Sequence, residues 1–273
     1  MRKFKLLLFI GLLGLWAPVS FGQTTGKVYY TSILESENFK EIIGVTIFKG
    51  DFSSFYFPNF SQKSSNTEET SVTQKDPFNM RIKIKLGDPL SSYMNVFIDR
   101  KKHKIISREQ YFADGDMQNC LTVESLGPME WEITGEKKTI DAFEAIKART
   151  DFRGRSYTAW FTTDIPIDIG PWKFHGLPGL ILEVYDEEKG VKFYMSEIQI
   201  PVELDKKIVP PSAPEQLTIQ EYASLEQNFE KEFIEMIQSK LPRGTNVGNI
   251  KVQKGQSRGI EREFNFADSK TNE

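Results

Sequence analysis

Short runs of aromatic and β-branched residues, broken by Gly, Pro, Asn and Asp, recur along most of the chain. Such runs are typical of antiparallel strands joined by turns. The clearer candidates are Gly26–Leu34, Glu41–Lys49, Met80–Lys85, Tyr93–Asp99, Lys104–Phe112, Met129–Thr134, Arg155–Thr162, Leu180–Tyr185 and Val191–Ile200. Because no helices alternate with these runs, a doubly wound parallel sheet is disfavoured. The pattern predicts a mostly β (α+β) fold built on a large antiparallel sheet.

One long helical pattern lies near the C-terminus, at about residues 219–241. Thr218 and Glu221 form a T-x-x-E capping box, which satisfies free backbone N–H groups at a helix start, and Pro242 ends the pattern. Apolar residues at spacings of three and four share one helix face: Tyr222, Leu225, Phe229, Phe233, Met236 and Ile237. We expect this helix to pack on the sheet, although a partner-binding helix would show the same pattern.

The segment from Ser61 to Asp76 is almost wholly polar and lacks the apolar residues that would offset the entropy of ordering. We expect residues 61–76 to form a mobile surface loop. The Pro-rich stretch 209–214 is typical of a semi-rigid linker before the helix. The length of residues 23–273 suits one sizeable hydrophobic core, so we predict a single domain.

The N-terminus has the layout of a signal peptide. Arg2, Lys3 and Lys5 precede an apolar run from Leu6 to Trp16, which is too short for a membrane-spanning helix of roughly 20 residues. Small residues before Gln23 predict cleavage after Gly22. We therefore expect residues 1–22 to be removed, and the mature protein to reside in the periplasm or cell envelope.

Charge and cysteine content narrow the function classes. Removing residues 1–22 leaves 32 Lys and Arg against 38 Asp and Glu, a net charge of −6. A mildly acidic chain disfavours nucleic acid as a partner, and the short basic run Arg100–Lys104 is interpreted as a solvated turn. Cys120 is the only cysteine, so no intramolecular disulfide can form, and we expect it to be a small buried residue.

The densest stretch of recognisable pattern contains the hexapeptide Gly176-Leu177-Pro178-Gly179-Leu180-Ile181. Pro178 presets the φ that the second position of a type II turn requires, and Gly179 tolerates the positive φ of the third position. After the turn, alternating apolar residues predict a half-buried strand. Taken alone, these residues predict a turn followed by a hairpin.

The same hexapeptide resembles the signature of the GLPGLI family of exported Bacteroidota proteins. The resemblance extends in order to Arg153-Gly154-Arg155, Ala159-Trp160-Phe161, Ile165-Pro166, Gly170-Pro171 and Lys173-Phe174, over roughly 35 residues. It implies a cell-envelope domain of unknown function, often encoded near TonB-dependent receptors. It also implies a curved sheet or half-barrel similar to that of lipoprotein carriers. Ala145 stands where many members carry a Cys, so a disulfide expected from the family is in doubt.

Aromatic residues crowd the approach to the motif, and two interpretations stay open. In the first, the aromatic side chains fill the hydrophobic core. In the second, which requires a curved sheet, they line an apolar groove that binds a lipid, a peptide or another hydrophobic ligand. The candidate ligand-binding residues are Tyr157, Trp160, Phe161, Trp172, Phe174 and His175.

Candidates for catalysis are few. Two histidines, His103 and His175, are too few for a zinc site built on several imidazoles. Ser156, His175 and either Asp164 or Asp168 could form a hydrolytic triad, but no G-x-S-x-G elbow carries the serine. Asp114-Gly115-Asp116 is better interpreted as a hairpin turn than as a calcium loop, and no phosphate-binding loop is evident. No metal or cofactor is predicted.

Three functions remain as hypotheses. The leading one is a non-enzymatic envelope protein that binds an apolar ligand or a protein partner, for example an outer-membrane receptor of the TonB-dependent class. The second is a periplasmic hydrolase that uses Asp164, Asp168 or His175, because these residues flank the motif in a loop-rich segment. The third is a structural component of the envelope.

Overall fold

The computed structural model describes residues 24–34, 41–58, 72–74, 80–82, 94–240 and 261. The elements are β1 Thr25–Leu34, β2 Glu41–Lys49, β3 Phe52–Tyr56, β4 Val72–Gln74, β5 Met80–Ile82, β6 Asn95–Asp99, β7 Lys104–Ala113, β8 Asp116–Ser125, β9 Glu132–Ile140, β10 Phe143–Phe152, β11 Arg155–Thr162, β12 Leu180–Asp186, β13 Val191–Gln199, β14 Glu215–Thr218 and helix α1 Ile219–Lys240.

Twelve strands form one open sheet in the order β14-β8-β7-β6-β3-β2-β1-β13-β12-β11-β10-β9. The mostly β prediction is confirmed. The sheet is mixed rather than wholly antiparallel, which corrects the prediction, because β14 pairs with β8 in parallel. Residues 200–214 form the connection that brings β14 to this edge after β13.

The sheet is strongly curved. Arg153, in the turn after β10, forms an ion pair with Glu124 on β8, although eight strands separate β8 from β10 in the sheet order. In a flat sheet, strands that far apart would be about 40 Å distant at roughly 4.8 Å per strand. The sheet therefore curls until its two ends approach each other, as the resemblance to half-barrel folds implied.

One hydrophobic core fills the concave side, which we call the inner face; the opposite side is the outer face. Along β1, buried and half-buried residues alternate strictly, so Val28, Tyr30 and Leu34 point inward. Phe55 on β3 packs edge-on against Phe193 on β13, with ring centroids 5.7 Å apart. Strands from both halves of the sheet thus contribute to a single core.

Helix α1 packs on β7 and β8 beside β14, and both the helix and its capping box are confirmed. The backbone N–H of Glu221 donates to the Thr218 hydroxyl at 3.2 Å, and Glu221 accepts from the Thr218 N–H at 2.7 Å. Phe229 and Phe233 pack edge-on against Phe112. The apolar helix face therefore covers the β7–β8 hairpin.

Two predicted segments lie wholly or largely outside the described residues: the signal peptide 1–22 and the mobile loop 61–76. Within the loop range, Val72–Gln74 forms β4, which pairs with β5 in a separate two-stranded sheet. The loop prediction rested on polar composition, which does not prevent a short backbone pairing. In the part of the chain that the structure describes, no helix has the length and apolar character needed to cross a membrane.

Candidate functional site

Residues 163–179, which join β11 to β12 and which we call the motif loop, enter the concave side of the sheet. Ile169, Trp172, Phe174 and Leu177 are at most 2% exposed. The loop is hydrogen-bonded to the strand that follows it, because the Leu180 N–H donates to the Ile165 carbonyl at 3.0 Å. The resemblance region thus supplies a large part of the core.

Local turns shape the motif loop. The Phe174 N–H donates to the Pro171 carbonyl at 3.1 Å, which closes a tight turn after Gly170. A Cβ on Gly170 would lie 2.7 Å from the Phe174 carbonyl oxygen, so only glycine fits there. The hydroxyl of Thr46 on β2 donates to the Gly170 carbonyl at 3.1 Å and ties the turn to the inner face of the sheet.

The predicted type II turn is wrong. The Gly179 N–H donates to the Leu177 carbonyl at 2.8 Å, two residues back, and Gly179 is not in the left-handed region, so an inverse γ-turn forms around Pro178. Gly176 has the positive φ, 89°. Gly179 is required for another reason: a Cβ there would lie 2.0 Å from the Thr162 carbonyl oxygen. Pro178 suits both turn types, because both need a φ near −70° at that position.

The six predicted ligand-binding residues are all buried. Relative exposures are 1% for Tyr157, 8% for Trp160, 1% for Phe161, 2% for Trp172, 0% for Phe174 and 7% for His175. Phe174 is the centre of the aromatic group, with ring centroids 4.8 Å from Tyr157, 5.3 Å from Trp172 and 6.4 Å from Phe193. These contacts agree with the core-filling interpretation, and a ligand-binding role for these residues stays a prediction.

Trp160 is separate from this group, because it points to the outer face. The ammonium of Lys138 lies 4.4 Å from its ring centroid, and that of Lys147 lies 5.9 Å away. The Trp160 indole N–H contacts the Tyr185 hydroxyl at 3.5 Å, and Lys138 forms an ion pair with Glu183. Two long lysine side chains thus shield the indole ring from water.

His175 is held by backbone rather than by catalytic partners. Its Nδ1 lies 2.8 Å from the Lys173 carbonyl oxygen, and its Nε2 lies 2.9 Å from the Gly127 carbonyl oxygen. The Ser156 hydroxyl instead donates to Asp151 at 2.5 Å, and Asp168 accepts from the Gly176 N–H at 2.5 Å. The structure therefore does not bring Ser156 and His175 together as a triad would need.

A buried charge cluster, which sequence reasoning missed, surrounds Lys173 of the motif loop. The ammonium of Lys173, 0% exposed, lies 2.6 Å from carboxylate oxygens of both Glu124 and Glu261. Arg153 pairs with Glu124, and its Nε lies 3.6 Å from Glu261. Burial raises the pKa of the Glu124 carboxyl, but the nearby charges of Lys173 and Arg153 outweigh it and lower that pKa overall.

A tight turn positions Arg153. Phe152 and Arg155 are paired across β10 and β11, so the loop has only two residues, Arg153 and Gly154. Both have positive φ, 52° and 73°, as a type I′ hairpin turn requires. An X-Gly pair between two strand patterns signals such a turn in a sequence, but nothing local signals that the Arg side chain meets Glu124.

Glu109 on β7 contributes a further carboxyl near this cluster. Burial raises its pKa to about 8, and the nearby Glu261, Glu124 and Glu226 carboxylates add to the shift, whereas Lys173 opposes it. Across the described ranges, no three His, Cys, Asp or Glu side chains form a group that could hold a metal ion.

Comparisons with known proteins leave the activity open. The profile of a family described as "Protein of unknown function (Porph_ging)" matches residues 151–183, which include β11, the motif loop and the start of β12. No curated protein matches. Two crystal structures of PNGF-II, in space groups P21 and C2, are 15% identical with TM-scores of 0.47 and 0.48, and cover 74% of this chain.

This chain spans about a third of those proteins, 33% and 32% of their length. Membership of the GLPGLI family stays a prediction, because the matching profile carries another name and covers a short stretch. The comparisons therefore establish similarity to a domain of unknown function over the region that forms the motif loop.

Proposed function

We propose that this chain is an exported, non-enzymatic binding protein of the cell envelope that docks a protein partner on the outer face of its sheet. The observation that carries the proposal is a cluster of four half-buried tyrosines and one exposed isoleucine on β12, β13, β1, β2 and β3. We call it the tyrosine face, and its members are Tyr29, Ile43, Tyr56, Tyr185 and Tyr194.

Strand register places these residues on one surface. Tyr194 on β13 lies opposite Thr31 on β1, and Thr31 lies opposite Ile43 on β2. Ile43 is 38% exposed, so it adds apolar area to the surface beside the tyrosines. Burial raises the pKa of Tyr194, and the neighbouring Glu183 and Tyr185 raise it further. Tyr194 therefore lies close to Glu183 and Tyr185 on this surface.

The tyrosine face is better suited to binding a protein than the inner face is to binding an apolar ligand. Tyrosine supplies a large apolar area with few rotatable bonds and a hydroxyl at its rim, so it is enriched at protein interfaces. On the concave side, Phe174 and the rest of the motif loop pack against the sheet. An apolar ligand would have to displace these buried side chains, whereas the tyrosine face can bind without rearrangement.

We propose a TonB-dependent outer-membrane receptor as the partner, because the GLPGLI family that the sequence resembles is often encoded near such receptors. A photo-crosslinking amino acid at Tyr194 should yield an adduct with such a receptor in the native envelope, identified by mass spectrometry. The same probe at Asn228, on the exposed side of α1, is the matched control. Receptor adducts that form equally from both positions, or from neither, would contradict the proposal.

Export is tested separately. The protein recovered from the periplasmic fraction should begin at Gln23, because small residues precede that position and suit a signal peptidase. Intact-mass measurement distinguishes this form from one that retains Met1. Recovery of the full-length chain in the cytoplasm alone would refute export and, with it, docking to an outer-membrane receptor, whereas an exported chain that yields no receptor adduct would refute the docking alone.

A further inference from the structure

The connection between β13 and β14 has to cross most of the sheet. Residues 200–214, which we call the strap, join two strands that lie seven positions apart in the sheet order. At roughly 4.8 Å per strand that separation is about 34 Å along the sheet, and a fully extended chain of this length reaches at most about 50 Å. The strap is therefore long enough for the crossing, with limited slack.

Charged contacts place the strap on the outer face. The Asp205 carboxylate forms an ion pair with Lys27 on β1 at 3.9 Å, and Lys27 points outward because it alternates with the buried Val28. Burial raises the pKa of Tyr56 on β3, and the nearby Tyr29 and Asp205 raise it further. The strap therefore passes over the outer side of β1 and β3.

The side of the strap that faces the sheet is apolar. Val202 and Leu204 are half-buried, whereas Glu203 and Asp205 are exposed, so alternate side chains face the sheet. The Val202 N–H donates to the Thr25 carbonyl at 3.0 Å at the start of the strap. The ion pair of Asp205 contributes little, because its side chain is 93% exposed. A segment held in this way can open locally while the strands stay paired.

Val45 on β2 lies in the path of the strap. In the strand register it is directly between Tyr29 on β1 and Tyr56 on β3, two members of the tyrosine face. Val45 is 3% exposed, whereas Ile43, two residues earlier on the same face, is 38% exposed. We propose that the strap covers Val45 and limits the docking surface, which enlarges when the strap opens. This regulatory role rests on the proposed function of the tyrosine face.

Opening of the strap and docking of a partner should favour each other. Displacing the strap joins Val45 and the half-buried Ile47 to the tyrosines, which adds apolar area at the centre of the surface. A partner that binds the open form more tightly shifts the protein towards it, and a closed strap lowers the apparent affinity. Any change that loosens the strap should therefore strengthen docking.

Cysteine labelling tests the cover without any receptor. Ile43→Cys should react quickly with a maleimide, whereas Val45→Cys, on the same strand and face, should react roughly a hundredfold more slowly. Leu204→Asp puts a charge on the side of the strap that faces the sheet and should raise the Val45→Cys rate by at least about tenfold. The native Cys120, which is 0% exposed, should stay unlabelled and so report that the fold is intact.

Glu203→Ala, a change on the exposed side of the strap, is the matched control and should leave the Val45→Cys rate unchanged. If Leu204→Asp also exposes Cys120, the milder Leu204→Ser replaces it. A Val45→Cys rate equal to that of Ile43→Cys behind an unaltered strap would overturn the proposal. So would a rate that does not rise when Leu204 is changed.

The receptor adduct from the Tyr194 probe separates this proposal from the docking itself. Its yield should increase severalfold in Leu204→Asp. Adducts that form with the unaltered strap and do not increase in the variant would overturn the regulatory role alone. Adducts from neither protein would refute the docking, while the labelling rates still decide whether the strap covers Val45.

Discussion

The phenol of Tyr30 on β1 donates a hydrogen bond to the carbonyl oxygen of Ile181 on β12 at 2.8 Å, although 151 residues separate them in the chain. Tyr30 is 0% exposed, and burial raises its pKa. The contact crosses the intervening strand β13 on the inner face. It fixes the start of β12, and with it the end of the motif loop, against the centre of the sheet.

Tyr30→Phe should therefore lower the free energy of unfolding by about 2 kcal/mol, because a buried polar contact is lost while the ring still fills its place. Urea denaturation measures the change. Tyr29→Phe is the matched control, since Tyr29 is half-buried on the outer face, and its effect should be within about 0.5 kcal/mol. Equal effects of the two substitutions would contradict the role assigned to Tyr30.

Gly179→Ala should be among the most damaging single substitutions. The added Cβ would lie 2.0 Å from the Thr162 carbonyl oxygen, and backbone atoms cannot move aside as a flexible side chain could. We expect a loss of about 4 kcal/mol or failure to fold, measured by urea denaturation and soluble yield.

Gly127→Ala is the control for Gly179→Ala, because a Cβ on Gly127 meets nothing within 4 Å. Its stability should stay within about 0.5 kcal/mol of wild type. A folded Gly179→Ala protein with near wild-type stability would refute the close approach of the turn to β11.

Strands with apolar or β-branched runs could be predicted, whereas strands with polar outer faces could not. Glu41–Lys49 and Arg155–Thr162 match β2 and β11 residue for residue. β8 and β10 were missed, because alternate positions such as Asn119 and Lys147 are polar. Met129–Thr134 was placed too early, since β9 begins at Glu132 and is largely exposed at the sheet edge.

At the candidate site, too, local sequence patterns predicted only part of the structure. The hexapeptide predicted a turn from local preferences alone, and a turn is present, but the roles of its two glycines depend on tertiary contacts. Gly176 has the positive φ, and Gly179 is required by the nearby Thr162 carbonyl. The pairing of Lys173 with Glu261 joins residues 88 positions apart, which no local pattern can reveal.

Glu109→Gln should stabilise the protein in a pH-dependent way. The folded-state pKa of Glu109, about 8, lies above its ordinary value of 4.5. The folded protein therefore binds this proton more tightly than the unfolded chain, and stability falls as pH rises from about 4.5 to about 8. Glutamine resembles the protonated carboxyl. The free energy of unfolding of the variant relative to wild type should therefore increase as pH rises from about 4.5 to about 8, and the difference should stay constant at higher pH.

Urea denaturation of wild type and Glu109→Gln at pH values from 4 to about 9 measures that difference. Glu132→Gln, on the exposed edge strand β9, is the control and should show no such trend. A Glu109→Gln advantage that does not change with pH would mean that the carboxyl is not held in its protonated form.

Cys120 should be unreactive in the folded protein. It is 0% exposed, and burial, followed by the nearby Glu109 and Glu215 carboxylates, raises its pKa from 9.0 to about 12. Because the thiolate is the reactive species and the buried sulfur is out of contact with reagent, labelling with a disulfide reagent at pH 8 should require opening of the fold and be much slower than in denaturant.

Native labelling of Cys120 should proceed at a rate that does not depend on reagent concentration, since unfolding would limit it. A Cys120→Ala protein carrying Ser125→Cys, at an exposed position of β8, is the positive control and should react within seconds. Rapid stoichiometric labelling of Cys120 in the native protein would show that helix α1 does not stably cover this end of β8.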